Sequence, residues 1–402
     1  MNDASEGVTQ GRSAVSRVSP DKLGYIDAVR GWAILLVITA HTGSRFPELP
    51  YPVKKLTNFG WHGVQLFFIA SAVTLMLSWS RRTEAFPAAT RHFFIRRFLR
   101  IAPMYYAGAL LYFLVDGIPG EFSLAQLLRS LLFVNAWHPE WLPTTKAWSV
   151  VPGGWSIGVE FTFYALFPLL ASLLTNARRA AIFFAAALPF AVLANNGAAA
   201  GWLRDYEVQA ARNFLYFWFP NQLPVFAAGI LLFYLLRQGP ASVSRGTSLA
   251  LGGAAVLFCI YIAGLALGIS YLRNFTDPPP IFWATLAFMV FVYALAKGPA
   301  TWFTHPWVQR VGVLSFSAYV LHFLFIQDLP AWSGGLIDVN ATGLKAIGMF
   351  VLLWVGVVAC TLATASLAHR YIERPGMALA ARWIAARRSA RPAPPDKLAV
   401  RE

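Results

Sequence analysis

The chain has 402 residues, of which 57% are hydrophobic and 13% charged, a charged share about half that of an ordinary soluble domain. Apolar runs of roughly twenty residues recur along its whole length, which excludes a soluble enzyme and reads as a polytopic helical membrane protein. The formal net charge of +15 does not point to nucleic acid: the cations sit in short loops and the tail, and no RNA- or DNA-binding motif accompanies them.

Residues 1–22 are polar and are expected to form a cytoplasmic segment. The first apolar run contains Arg30 and lacks a small-residue cleavage site, so it reads as an uncleaved anchor rather than a signal peptide. Hydropathy then predicts ten membrane helices, over residues 25–44, 59–79, 103–117, 155–175, 180–195, 214–236, 247–269, 281–297, 311–328 and 344–368. Between the third and fourth, Ser123 to Trp137 is amphipathic and predicted to lie in the interface, with Ser123 as its cap. The basic stretch 377–402, rich in Arg, Pro and Ala from Arg387 onward, is expected to be a disordered cytoplasmic tail. With both termini inside, 23 of the 33 Lys and Arg fall in cytoplasmic segments and 9 outside, with Arg30 in the first span. That bias supports an even number of helices. Cys259 and Cys360 both lie in apolar segments and read as packing residues, not as a disulfide or a metal site. The fold class is thus an all-α bundle of about ten transmembrane helices.

Four polar clusters interrupt the apolar runs. Arg30 and His41 are eleven residues apart, about 1100° of helix or three turns and roughly 20°, so they share one face about 16 Å apart. Charged groups at membrane depth mark functional paths, although a snorkelling Arg and a His reaching water fit the same spacing. Arg97 and Arg100 are three apart, hence neighbours on a helix, and Pro103 fits the start of the next one. Two guanidiniums there suit a phosphate, either of a ligand or of lipid. Glu160 is the only carboxylate in its apolar run, somewhat more than a turn below Trp155 and so shallow beneath the outer surface. It is read as orienting an imidazole, acting as a base or pairing with a cation. Ser315, Tyr319 and His322, at i, i+4 and i+7, make one polar stripe, either interhelical glue or pocket lining. Trp61, His62 and Gln65 are weaker candidates for a pocket mouth, and Glu373 with Arg370 and Arg374 reads as a structural ion-pair network. No Walker loop, GxGxxG, GxSxG or metal-spaced His/Glu motif is present, so neither a metal nor an ATP-driven pump is expected.

In this order the clusters resemble acyltransferase family 3, which includes polysaccharide, peptidoglycan and nodulation-factor O-acetyltransferases. The Arg and His of the first helix correspond to Arg30 and His41, and an FF-x-x-S segment to Phe67, Phe68 and Ser71. An R-x-x-R-I-x-P-x-Y segment corresponds to Arg97, Arg100, Ile101, Pro103 and Tyr105, and W-S-x-x-x-E to Trp155, Ser156 and Glu160. S-x-S-x-Y-x-x-H corresponds to Ser315, Ser317, Tyr319 and His322, and I-E-R-P to residues 372–375. The resemblance covers residues 23–376, the expected transmembrane domain. The chain departs from the pattern at Ala72, which replaces a glycine, at Phe161, which replaces a second acid, and at Val320 and Leu321. The Ala72 change is expected to bear on which acyl chain fits.

The resemblance implies transfer of an acyl group, most often acetyl from acetyl-CoA, to a hydroxyl of a carbohydrate such as an exopolysaccharide, O-antigen or glycolipid. It implies a multi-pass protein of a bacterial inner membrane, as monomer or homodimer. In the expected mechanism Arg97, Arg100 and Arg30, with Tyr105, hold the donor's phosphates. His41 is the general base or carries the acyl group. Glu160 sets an imidazole's tautomer or stabilises its cation. His322, Ser317 and Tyr319 line the pocket and stabilise the oxyanion, and Trp155, Ser156 and Ser315 contact substrate. A transporter or flippase for a lipid-linked saccharide explains the embedded charges without chemistry, but no inverted repeat is visible.

Overall fold

The computed structural model describes residues 24–117, 122–142, 149–240, 242–266 and 280–389. The polar segment 1–22 and residues 390–402 of the tail lie outside the described residues. Those described form fifteen α-helices with short 3-10 and π turns and no strand.

Helix α1 (Gly24–Gly43) is the hub. Around it pack α2 (Tyr51–Phe59), α3 (Gly63–Ser80), α12 (Pro306–Val313), α13 (Ser315–Trp332) and α14 (Gly343–Ala368). A second layer is made by α4 (Phe86–Asp116), α6 (Trp155–Leu173), α7 (Ala177–Ala200), α8 (Val208–Phe217) and α9 (Phe219–Gln238). The remaining helices are α5 (Leu124–Leu131), α10 (Arg245–Ala266), α11 (Pro280–Lys297) and α15 (Arg374–Ser389). The interior is a continuous apolar cluster that includes Ile34, Leu66, Phe163 and Phe226, all fully buried. Outward-facing leucines such as Leu114, Leu193 and Leu257 stay exposed, as expected of helices whose second solvent is lipid rather than water.

Six helical stretches among the described residues are long and apolar enough to cross a membrane: Tyr51–Ser80, Phe86–Asp116, Trp155–Leu173, Ala177–Ala200, Val208–Gln238 and Gly343–Arg387. A seventh arises if α12 and α13, bent by 80°, act as one broken span. Six of the ten predicted spans thus have clear counterparts, and the ninth is the bent pair. Helix α1 has the length but carries Asp27, Arg30 and His41. Helices α10 and α11 are shorter apolar helices.

Three local expectations change. The third span is not a separate short helix starting at Pro103: α4 runs unbroken for 31 residues with Pro103 inside it. Proline has no N–H, so the carbonyl of Leu99, four residues earlier, loses its helical donor. Gly376 packs so closely there that a Cβ would lie 2.5 Å from the Leu99 oxygen. The tail is helical to Ser389, because Ala380 and Ile384, four apart, bury one face while α15 packs on α4. Glu373 is buried and takes its hydrogen bonds from Ser317 and from His369 (3.1 Å), not from Arg370 or Arg374. It ends a π-helical turn, His369–Glu373, that joins α14 to α15. The cap at Ser123 forms as expected, its hydroxyl accepting from the Gln126 N–H at 3.3 Å.

Candidate active site

A cavity of about 620 Å³, counting its open mouth, lies among α1, α3, α4, α6 and α13. Its charged wall is Arg30, Arg100 and Glu160; the rest is mainly Val64, Phe67, Phe68, Ile101, Ile157 and Phe316. Five elements that are remote in sequence therefore bring three charges to one apolar space. Among the described residues no carboxylate comes within 4 Å of the guanidinium nitrogens of Arg30, Arg97 or Arg100. Arg30 and Arg100, two guanidiniums on the wall of one apolar cavity, make an anion site.

Glu160 is satisfied by hydroxyls. Its Oε1 accepts from Ser71 at 2.5 Å and from Tyr164 at 2.6 Å. Tyr164 lies one helical turn further along α6, at the i+4 spacing that places two side chains on one face. The carboxylate therefore sits on the same cavity wall as Arg30 and Arg100, and its hydrogen bonds go to hydroxyls and not to an imidazole. Arg97 and Arg100 diverge despite their spacing. Arg100 lines the cavity, whereas the buried Arg97 lies over the rings of Phe93 and Tyr164, at 5.8 and 6.0 Å. Arg97 thus backs the tyrosine that donates to Glu160.

The histidines do not line the cavity, but α13 links its wall to them. Ser315 and Tyr319 line the cavity, and Phe67 meets the Tyr319 ring edge-on at 6.1 Å. Ser156 donates to the Tyr319 hydroxyl at 2.8 Å, and Tyr319 donates to the Gly153 carbonyl at 3.0 Å. Gly153 has φ +76°, a backbone conformation that favours glycine, and a Cβ there would crowd the Tyr319 oxygen at 3.0 Å. One turn beyond Tyr319, His322 is fully buried. Its Nδ1 lies 2.7 Å from the Tyr319 carbonyl. A carbonyl only accepts, so Nδ1 carries the hydrogen and Nε2 keeps a lone pair. That Nε2 is buried and has no protein partner. The tautomer expected to be set by Glu160 is set instead by the backbone of α13. The His41 ring lies 5.3 Å from that of His322, 4.2 Å from Phe323 and 4.5 Å from Trp61. The Arg30–His41 face is therefore a line with the charged cavity at one end and two facing imidazoles at the other.

Other expected contacts fall elsewhere. Ser317 turns away from the cavity to Glu373, tying α13 to the π turn. Tyr105 is buried against Phe133, ring centroids 5.2 Å apart, and is not in the cavity wall. Trp155 packs on Phe217 at 4.2 Å and flanks the cavity only through Phe68. Ala72 is buried against α9, where a Cβ on Gly229 would meet its methyl at 2.6 Å. Its methyl therefore replaces space between helices, not space for an acyl chain. Phe161 stacks on Phe133 at 3.8 Å, 3° from parallel. The expectations did not assign Tyr164 or Phe323 to the site. The i, i+4 spacing from Glu160 signals Tyr164; Phe323 carries no sequence signal beyond adjacency to His322.

Among the described residues no group of three or more His, Cys, Asp or Glu is placed to hold a metal ion. Residues 23–370 match a family model described as an acyltransferase domain. The chain belongs to acyltransferase family 3. It is similar to the acyltransferase MdmB of Streptomyces mycarofaciens, with 25% identity over 391 residues, covering 90% of this chain and 93% of that one. No solved structure matches it. The protein is thus a multi-pass membrane acyltransferase, which sets the enzyme reading above the transport one.

Proposed function

We propose that the protein transfers an acetyl group from acetyl-CoA to a hydroxyl of a carbohydrate, such as an exopolysaccharide, O-antigen or glycolipid, in a bacterial inner membrane. The observation that carries this reading is the pairing of an arginine-walled cavity with two imidazoles at the far end of the same α1 face. In the proposed topology ten spans cross the membrane, both termini are cytoplasmic, and the Arg30 end of α1 faces the cytoplasm. Anionic phosphates of the donor rest on Arg100 and Arg30. The pantetheine arm runs past Phe67 and Tyr319, and the roughly 16 Å between Arg30 and His41 matches an extended chain of that kind.

At the far end His41 removes the proton from the acceptor hydroxyl as its oxygen attacks the thioester carbonyl. A C–O bond forms and the C–S bond breaks. The proton held by His41 passes to the departing thiolate, so an ester and CoA are released. His322 presents a lone pair at Nε2, which suits it to accept a hydrogen bond from His41 rather than to donate one to an oxyanion. Glu160 serves as counter-charge to Arg30 and Arg100 through its Ser71 and Tyr164 bonds.

Membranes containing the protein, given radiolabelled acetyl-CoA, should move label into the carbohydrate fraction. His41→Ala should abolish that transfer at unchanged expression. Transfer retained by His41→Ala removes the base assignment, and label that never reaches carbohydrate removes the acceptor class.

A further inference from the structure

We propose that Trp61 is the acceptor platform, on which a saccharide ring stacks and offers a hydroxyl to His41; this rests on the acyl-transfer reading above. His41 is bounded by three rings. His322 stands on the side that leads through Tyr319 to the cavity. Phe323 fills a second side and is itself held by Gly153, where a Cβ would come within 3.3 Å of its ring. The third ring, Trp61, meets the imidazole edge-on, with planes 79° apart, and is 40% exposed. Of the three rings Trp61 is the exposed one, and it does not line the charged cavity, so an acceptor reaching His41 from outside the bundle would meet Trp61 rather than the donor's cavity.

The local sequence fixes this ring against the imidazole. Trp61 sits in a 3-10 turn, Gly60–His62, between α2 and α3. A Cβ on Gly60 would lie 2.2 Å from the Leu36 carbonyl oxygen, and one on Gly63 would lie 2.5 Å from that of Ala33. Both glycines press the turn backbone to backbone on α1, the helix that carries His41. Trp61 is thereby pre-organised, with no mobile linker between platform and base. An indole offers a broad apolar face and one N–H donor, which match the CH-rich face and hydroxyl rim of a sugar ring. A tryptophan that only anchors the protein at the membrane interface needs no imidazole against its edge.

The test uses membranes of a deletion strain carrying the wild type, Trp61→Phe or Trp61→Ala, with labelled acetyl-CoA and the host's own glycan fraction as probes. KM is measured for each substrate. Trp61→Ala should raise the glycan KM about tenfold, equivalent to about 1.4 kcal/mol. Trp61→Phe should raise it less, and the acetyl-CoA KM should stay constant in both. A glycan KM unchanged in Trp61→Ala, or both KM values rising together, overturns the platform and leaves the acyl-transfer reading standing. A wild type that labels no glycan overturns that reading, and the platform with it. Should Trp61→Ala fail to accumulate, Trp61→Phe and Trp61→Leu carry the same comparison.

Discussion

Replacing Glu160 by glutamine keeps the shape of the side chain and removes its charge. In the wild type, Oε1 accepts from Ser71 at 2.5 Å and from Tyr164 at 2.6 Å. A hydrogen bond to a charged group contributes about 1.5–3 kcal/mol and a neutral one about 0.5–1.5, so each bond should weaken by about 1 kcal/mol and the pair by about 2 kcal/mol. Arg30 and Arg100 also lose the one carboxylate on their cavity wall, which adds to the loss while the site is empty. The same change makes the cavity more positive, so an anionic donor gains rather than loses. Glu160→Gln should therefore be less stable by about 2 kcal/mol, with CoA affinity undiminished. Reversible unfolding in mixed detergent micelles reads the first quantity and calorimetric titration with CoA the second. A double-mutant cycle with Tyr164→Phe should give a coupling of about 1 kcal/mol. Stability equal to wild type, or CoA affinity falling with stability, would refute the counter-charge role.

Arg100→Ala should raise the donor KM roughly tenfold or more, the cost of about 1.5–3 kcal/mol for a lost charge-assisted contact. Arg97→Ala should mainly lower thermal stability, because its guanidinium backs Tyr164 instead of lining the cavity; equal effects on donor KM would contradict that division. Ala72→Gly should cost about 1 kcal/mol through the void left beside Gly229. It should leave acyl-chain preference unchanged across acetyl-, propionyl- and butyryl-CoA. A shift in that preference would put Ala72 back at the site.

The sequence made the bundle legible because lipid-spanning helices must be long and apolar, a constraint that survives any arrangement of neighbours. It also made the Arg30–His41 line legible, since both residues belong to one helix and helical periodicity fixes their relation. What depends on other helices was not legible. Arg97 and Arg100 share a face on paper, yet Tyr164 of α6 claims one and the cavity the other. Glu160 was assigned toward a histidine because two unlike polar groups in an apolar chain invite pairing. The hydroxyls that satisfy it come from Ser71, 89 residues away, and from its own next turn. Ser317 left the expected pocket lining because Glu373, a buried carboxylate, needs a donor. Pro103 misled in a different way: proline is common at the first turn of a helix, but here it lies inside α4, and Gly376, 273 residues later, packs over the carbonyl it leaves without a helical donor, a relation no local pattern displays.

That distant relation orders events in time. A ribosome delivers α4, with its proline-opened carbonyl and its arginines, long before Gly376 exists to cover the gap at Leu99. Ser317 likewise waits for Glu373. The packing of α15 on α4 and the tie from α13 to the π turn therefore form only after residues 373–376 have emerged, so these two contacts are set late in synthesis.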